Sequence, residues 1–406
     1  MSQTTEIVNM GRARRNVIVL ALAQAVLGIQ MPVNFVVSGL VGQMLGPNPC
    51  VATLPLSMFV LGSALSARPL AGFMQKHGRR AGFLLACLAA TLGGVVSFIG
   101  LRQGSFLLFC LGALLTGVYM AAQGFYRFAA TDTAPPEYQG KAISFVLAAG
   151  LVAAIGGSLV VRETSYLMPT PYMATYGFVI LLNLLGPILF AFLDIPKPDP
   201  VHKDAPRGRP LRELLRIPEI SVAMICGTVS YALMNLVMTS TPLAVVGCGF
   251  ATENAADIVS SHVIAMFLPS FFTGFLIARF GAPRIMLTGV VILGLAALVA
   301  LSGVELTHFF GALILLGLGW NFGYIGATAL LTSAHRPEER ARIQGINDAV
   351  VFGGVFLASL SSGGLMNCLG GSVETGWSAV NMATVPFLFL AGASVIWLMM
   401  RDKTRG

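Results

Sequence analysis

Residues 71–80 read AGFMQKHGRR, and residues 274–284 read GFLIARFGAPR. Each segment follows an apolar stretch and has a basic residue two positions before a glycine. These glycines, Gly78 and Gly281, lie 203 residues apart, which is half of the 406-residue chain. The match predicts an internal repeat of two similar halves.

A second match and a polar segment support this division. Pro-Glu occurs at residues 136–137 and again at residues 337–338, an offset of 201. Between the two halves, the longest polar stretch contains six prolines among mixed charges, which is typical of a linker. The chain is therefore predicted to divide into a first half, a linker and a second half, at residues 1–194, 195–219 and 220–406.

The composition indicates a membrane protein. Hydrophobic residues make up 56% of the chain and charged residues only 10%, against about 25% charged residues in an ordinary globular chain. A helix that crosses a bilayer needs about 20 mostly apolar residues. The sequence predicts an all-α integral membrane fold and excludes a water-soluble enzyme with one core. Twelve apolar stretches, named spans 1 to 12, cover residues 16–42, 51–74, 81–101, 104–128, 142–161, 172–193, 220–246, 255–278, 283–303, 306–331, 343–366 and 377–400.

The basic residues fall almost entirely on one side of these spans. The N-terminus, the linker, the C-terminus and the loops on their side hold 22 of the 25 Lys and Arg residues. Arg68 lies inside span 2, while Arg102 and Arg162 fall on the opposite side. Because cytoplasmic loops are enriched in Lys and Arg, both termini are expected in the cytoplasm. The net charge of +8 then reflects orientation in the membrane, and no nucleic-acid partner is expected.

The loop after span 2 resembles the signature of the major facilitator superfamily of secondary transporters. That signature ends in a basic residue, one free position, a glycine and two basic residues, which residues 76–80 match. Gln75 and Ala278 stand where the family has an aspartate. The resemblance implies two pseudo-symmetric six-helix bundles that alternate around a central cavity, with spans 1, 4, 7 and 10 facing that cavity.

These four spans carry polar and aromatic residues at helical spacing, so that the residues of each span share one face. Amides and hydroxyls also join transmembrane helices to one another, which leaves helix packing as the alternative for each residue. Together with the implied cavity, the pattern predicts a substrate site formed by Gln30, Asn34, Tyr119, Gln123, Tyr126, Arg127, Tyr231, Asn235, Trp320, Asn321 and Tyr324.

Charged and titratable residues near this site are candidates for coupling and gating. The resemblance implies that Arg79 faces Asp132 as a latch at the cytoplasmic side; the alternative is that Arg79 only sets topology. Proton coupling would need a buried titratable group within reach of the substrate. A neutral, hydrogen-bonded histidine is the alternative for His262. The predicted coupling and gating residues are Arg68, Arg79, Asp132, His262 and Asp348.

The predicted site offers amides, phenols and an indole, which suits a flat and largely uncharged aromatic solute. Residues 123–130, QGFYRFAA, and residues 317–324, GLGWNFGY, are similar to a bacterial branch of the family that includes riboflavin transporters. This similarity implies riboflavin uptake across the bacterial inner membrane. Drug efflux stays open as an alternative transport function. A non-transporting sensor or a membrane-embedded enzyme is the alternative outside transport.

Other chemistry finds no support in the sequence. No P-loop motif occurs, and the five His and six Cys residues lack metal-ligand spacing. We therefore expect no enzymatic activity, no cofactor and no metal. The expected partners of this monomer are membrane lipid and a small-molecule substrate. Whether Cys50 pairs with Cys248, in outer loops of opposite halves, stays open.

Overall fold

Helices make up all the regular structure of the part of the chain that the computed structural model describes, which is residues 10–197, 209–336, 339–368 and 371–403. Residues 198–208 of the predicted linker and the repeated Pro337-Glu338 lie outside this part. Twelve helical stretches are long and apolar enough to cross a membrane, which confirms the predicted number. In order, spans 1 to 12 cover Met10–Leu45, Pro49–His77, Arg79–Gln103, Phe106–Ala129, Lys141–Thr164, Met173–Ala191, Pro218–Gly247, Thr252–Phe280, Ala282–Leu301, Leu306–Ala334, Ile343–Cys368 and Val373–Arg401.

Several spans are interrupted inside the membrane. Span 1 consists of the helices Met10–Val26 and Gln30–Leu45, joined by the 3-10 turn Leu27–Ile29. Span 8 consists of Thr252–Phe267 and Ser270–Phe280, which meet at a proline. Proline lacks the amide hydrogen that the helix ladder needs, so it breaks the span at that point. The remaining helices that do not coincide with a whole span are the 3-10 turn Pro49–Val51 and the helices Leu54–His77, Phe106–Gly124, Tyr126–Ala129, Pro136–Thr164, Leu211–Leu214, Arg340–Cys368, Val373–Met382 and Val385–Lys403.

The repeated glycines make the same turn in both halves. Gly78 has φ +93° and connects span 2 to span 3, and Gly281 has φ +83° and connects span 8 to span 9. Side chains other than hydrogen are strained at such angles. The spacing of 203 residues therefore corresponds to two equivalent structural positions.

Helix packing also repeats between the halves. Gly117 in span 4 lies against span 2, where a Cβ atom would come within 2.9 Å of the Ser63 nitrogen. Gly317 in span 10 lies against span 8, where a Cβ atom would come within 3.0 Å of the Met266 nitrogen. Glycine lets the two backbones approach closely, a common device where helices associate within a bilayer.

Polar contacts join the two halves at the end of the molecule away from the linker, which we name the outer end. Ser57 donates to Ser359 at 3.0 Å, and Arg162 forms an ion pair with Asp257 at 2.9 Å. A disulfide joins Cys50 to Cys368, with their Cα atoms 5.5 Å apart.

Cys248, the partner that the sequence left open for Cys50, is a free thiol. Span 11 packs beside span 2 and brings its last residue, Cys368, to the turn that holds Cys50. Cys248 instead follows the end of span 7. The pairing is thus decided by which spans are neighbours.

At the opposite end, which holds the linker and which we name the linker end, the described ion pairs stay within one half. Arg79 pairs with Asp132 at 2.8 Å, and both residues belong to the first half. Arg209 pairs with Glu339 at 2.7 Å and attaches the end of the linker to the second half. The described hydrogen bonds between spans of opposite halves all lie at or toward the outer end.

Candidate functional site

The polar residues of span 1 are turned into the first half. The amides of Gln30 and Asn183 exchange two hydrogen bonds, at 3.2 and 3.0 Å. Asn34 donates to the Gln30 carbonyl at 2.7 Å and accepts from Tyr176. All four side chains are buried. Gln30 and Asn34 therefore connect span 1 to span 6 inside the first half.

Two tyrosines of span 4 are also turned inward. The hydroxyls of Tyr119 and Tyr126 lie 2.8 Å apart, and both residues are fully buried. The Tyr126 ring packs edge-on against Phe83, with centroids 5.0 Å apart, and at a tilt against Phe190. These tyrosines thus belong to the core between spans 3, 4 and 6.

Gln123 of span 4 lies near Gln24 of span 1, a residue that the sequence pattern did not select. A Cβ atom on Gly28 would come within 2.9 Å of the Gln123 amide nitrogen and 3.8 Å of the Gln24 amide nitrogen. Both glutamines are partly exposed, and neither forms a hydrogen bond with another residue that the structure describes. Two free amides therefore converge above a glycine that leaves space for them.

The 3-10 turn explains why the sequence pattern missed Gln24. The turn at residues 27–29 separates Gln24 from Gln30 and changes the angular spacing between them. Gln24 faces Gly28 and Gly150 in the first half, while Gln30 turns toward span 6. A regular helix of 3.6 residues per turn does not place the two glutamines correctly.

In the second half, an aromatic cluster brings together spans 7, 10 and 11. The Trp320 and Tyr324 rings stack at 18° with centroids 5.3 Å apart. Tyr231 meets them edge-on at 5.5 and 5.1 Å, and Phe352 lies 5.9 Å from Tyr231. We name Tyr231, Trp320, Tyr324 and Phe352 the aromatic face. The indole N–H of Trp320 is buried and donates to no partner within the described residues.

Arg127 lies opposite this face. Its guanidinium is within electrostatic range of Tyr231, Tyr324 and Asp348, all of which belong to the second half. Arg127 and Asp348 are both exposed, and Tyr231 and Tyr324 are partly exposed. The structure therefore brings Arg127 of the first half near the aromatic face of the second half. We name the space between Arg127, the aromatic face and Asp348, on the side of the linker end, the gap.

Asn235 and Asn321 lie away from this gap. Asn235 is buried and donates to the Val355 carbonyl of span 11 at 3.3 Å. Asn321 donates to the Met266 carbonyl at 2.6 Å and to Ser270, and it accepts from Thr273. These three partners flank the break in span 8, so Asn321 bonds to backbone and hydroxyl groups on both sides of that break.

The predicted coupling and gating residues are dispersed. Arg79 and Asp132 form their pair inside the first half, and Arg68 is exposed, with no ion pair to an acidic residue in the described ranges. His262 is fully buried, and its Nδ1 lies 2.7 Å from the Leu313 carbonyl oxygen. Its Nε2 finds no partner among the described atoms.

Ion pairs fix the linker ends of the helices. Hydrogen bonds from Arg12 and Arg15, at the start of span 1, lower the pKa of Asp194, which follows span 6. Arg209 lowers the pKa of Glu339 in the same way, helped by the backbone amides of Arg209 and Arg336. Each carboxylate holds the ends of two segments together.

The twelve spans, the internal repeat and a gap lined from both halves define a membrane transporter built of two helical bundles. The family model of the Major Facilitator Superfamily matches residues 18–258 and 223–406. The chain belongs to this family, and it is a multi-pass membrane transporter and not an enzyme.

Two relatives and two solved structures extend this finding. The chain is 43% identical, over 97% of both chains, to the riboflavin transporter RfnT of Brucella anthropi. It is 26% identical to the uncharacterized MFS-type transporter YddS of Bacillus subtilis, over 82% of this chain and 80% of that one.

The fold is similar to that of a bacterial homologue of the human lysosomal transporter Spinster in an inward-facing, unoccupied conformation. The TM-score is 0.69 at 16% identity, covering 95% of this chain and 97% of that one. The nucleoside transporter NupG gives a TM-score of 0.64 at 14% identity, with 96% and 99% covered. At these identities the structures bear on the fold alone.

Proposed function

We propose that this chain carries riboflavin into a bacterial cell by alternating access of its two halves. The observation that supports this most is that Arg127 of the first half lies within electrostatic range of Tyr231 and Tyr324 of the aromatic face, while the free amides of Gln24 and Gln123 converge in the first half. The 43% identity to a riboflavin transporter points to the same substrate.

The residues at the gap match the chemistry of riboflavin. Its flat ring system would pack against Tyr324 and Tyr231, and aromatic pairs of this kind contribute about 0.5–1.5 kcal/mol beyond the burial of area. The ring edge carries carbonyl and N–H groups. The free amides of Gln24 and Gln123 can donate to these carbonyls and accept from these N–H groups. The Arg127 guanidinium would donate to an electron-rich carbonyl, and the Trp320 N–H is a further donor without a protein partner.

The structure fits one end state of a transport cycle. The contacts between halves at the outer end, such as Arg162 with Asp257, would keep that end closed, while the substrate enters or leaves at the linker end. The halves at residues 1–194 and 220–406 would move as two bundles around the site. Because 22 of 25 Lys and Arg residues lie on the side of the linker, we propose that both termini are in the cytoplasm. We also propose that the protein is a monomer in the inner membrane.

Asp348 is our candidate for proton coupling. It stands across the gap from Arg127 and is exposed, so that it can exchange protons with water. His262 is held between spans 8 and 10 by the Leu313 carbonyl, away from the gap. We therefore propose that His262 supports packing and that coupling, where it exists, runs through Asp348.

The test is uptake of labelled riboflavin by a riboflavin-auxotrophic bacterium that expresses the chain, with and without a protonophore. We expect uptake by the wild type and by the control variant Trp397→Ala. Trp397 belongs to span 12, and its ring is exposed. Trp320→Ala should lower uptake at least tenfold at equal expression.

The protonophore separates two mechanisms. Accumulation that is lost with protonophore would indicate energised uptake, while uptake to equilibrium in both conditions would indicate a facilitator. No uptake by a well-expressed wild type, either before or after reduction of the Cys50–Cys368 disulfide, would contradict riboflavin as the imported substrate.

A further inference from the structure

The disulfide at the outer end connects the two halves directly. Cys50 lies in the 3-10 turn Pro49–Val51 that precedes span 2, and Cys368 is the last residue of span 11. The two cysteines are 318 residues apart in the sequence, and both are exposed. A thiol reagent in the surrounding medium can therefore reach the bond.

Hydrogen bonds around the disulfide join the same two spans. Thr53 donates to the Ser359 carbonyl at 3.0 Å and accepts from the Gly363 amide at 3.0 Å. The Asn367 amide donates to the Pro49 carbonyl at 2.7 Å. Bonds of this kind each contribute about 0.5–1.5 kcal/mol, so thermal motion can break and re-form them. The disulfide is the one contact of this group that cannot open without chemistry.

The covalent bond limits how far the outer end can open. A disulfide requires Cα atoms within about 7 Å of each other, and here they are 5.5 Å apart. Alternating access requires spans 2 and 11 to separate when the outer end opens, which would move these atoms beyond that limit.

We propose that Cys50 and Cys368 form a redox lock: the disulfide holds the transporter closed at its outer end, and reduction releases it for transport. This inference rests on the proposed transport by alternating access, and on the outer end facing the compartment outside the cytoplasm. Disulfides form and persist in such oxidising compartments.

The chemistry is thiol–disulfide exchange. In the locking direction the two thiols lose two protons and two electrons as the Sγ–Sγ bond forms, and the disulfide of an oxidising thiol–disulfide oxidoreductase becomes a dithiol. In the releasing direction a thiolate of a dithiol reductant attacks one sulfur and forms a mixed disulfide; the second thiol of the reductant resolves it, so both cysteines become thiols and the reductant becomes a disulfide.

Cys248 provides a matched control. It lies outside the membrane-spanning segment at the same end of the molecule and is a free thiol. Burial, and then the nearby Glu374, raise the pKa of this thiol, which lowers its thiolate fraction. Cys248→Ser removes an outer cysteine without touching the disulfide.

The first experiment tests the bond in membranes. A protease site is inserted after His202, between the two halves. Free thiols are blocked first, and the protease then cuts the chain at this site. We expect the halves of the wild type and of Cys248→Ser to migrate together on a non-reducing gel and apart after reduction. Separate migration of the wild-type halves without reduction would overturn the proposal.

The second experiment tests the lock on uncleaved protein. Hydrogen–deuterium exchange of residues 49–60 and 355–368 should become at least threefold faster when the wild type is reduced with a phosphine. Labelled riboflavin uptake by cells should rise at least threefold under the same reductant. The variant Cys50→Ser with Cys368→Ser should show the fast exchange and the high uptake without reductant, and Cys248→Ser should behave like the wild type.

The readouts distinguish the two proposals. Linked halves whose exchange does not change on reduction would overturn the lock. Exchange that responds to reduction, with no riboflavin uptake in any variant, would uphold the lock and contradict riboflavin as the substrate. If the double serine variant fails to fold, the reduced wild type still decides the question.

Discussion

The two halves of the chain place their central tyrosines differently. In the first half, Tyr119 and Tyr126 contact each other inside the bundle and are fully buried. In the second half, Tyr231 and Tyr324 reach the gap. Both halves show the same spacing of polar residues along the chain. Such spacing therefore identifies a shared face of a helix, but not whether that face meets a neighbouring helix or the cavity.

The largest effect that we expect separates Asn321 from the substrate site. Asn321→Leu should destabilise the protein by about 2–4 kcal/mol, because it removes the buried hydrogen bonds of Asn321 with the Met266 carbonyl, Ser270 and Thr273. The affinity of the folded fraction for riboflavin should stay within twofold of the wild type. Thermal unfolding in detergent and a riboflavin titration measure the two quantities. A folded, stable variant that no longer binds would return Asn321 to the site.

The second prediction compares two glutamines of the first half. Gln123→Leu should weaken riboflavin binding about 5- to 30-fold, which corresponds to one or two hydrogen bonds of about 1 kcal/mol each. Gln30→Leu should leave the binding constant nearly unchanged and lower the unfolding temperature, because it removes the two hydrogen bonds that Gln30 exchanges with the buried Asn183 amide. Equal losses of affinity in both variants would contradict the assignment of these residues to different faces.

The third prediction concerns the charge that the first half presents to the gap. Arg127→Gln should weaken riboflavin binding about 3- to 10-fold through the loss of about 1 kcal/mol of hydrogen bonding. Arg102→Gln, an exposed arginine at the outer end of span 3, is the control and should bind like the wild type. The same titration serves both variants. An unchanged constant for Arg127→Gln would remove this residue from the site.

The smallest effect concerns pH at the linker end of the second half. Because Arg209 lowers the pKa of Glu339, the folded state favours the ionised carboxylate, and this stabilisation is fully present above the unfolded pKa of about 4.3. It is lost as the pH falls from there through the lowered folded pKa. Glu339→Gln should therefore unfold at a lower temperature than the wild type, by a constant interval between pH 8 and pH 6.

The interval should shrink only at more acidic pH, where the wild-type carboxylate begins to be protonated. Unfolding temperatures at a series of pH values measure it. A difference that already disappears between pH 7 and pH 6 would contradict the lowered pKa.

The twelve spans could be predicted because the bilayer imposes both length and composition on a helix that crosses it. The turns after spans 2 and 8 could be predicted because Gly78 and Gly281 occupy equivalent positions in the repeat. Each of these features depends on residues close together in the chain. Sequence patterns describe such local features well.

The orientation of side chains around each span could not be predicted in this way. The 3-10 turn in span 1 changes the relation between Gln24 and Gln30, and the break in span 8 creates the backbone groups that Asn321 binds. Likewise, the partner of Cys50 depends on the packing of span 11 beside span 2. These features arise from contacts between distant segments, which the order of residues in one span does not reveal.

Titration of purified protein with riboflavin tests directly whether the aromatic face of the second half binds the riboflavin ring, as we propose. Flavin fluorescence reports the binding constant of the wild type, of Tyr324→Ala and of the control Trp397→Ala. We expect saturable binding that weakens at least tenfold in Tyr324→Ala and stays within twofold of the wild type in Trp397→Ala. Unchanged binding by a folded Tyr324→Ala variant would contradict the account.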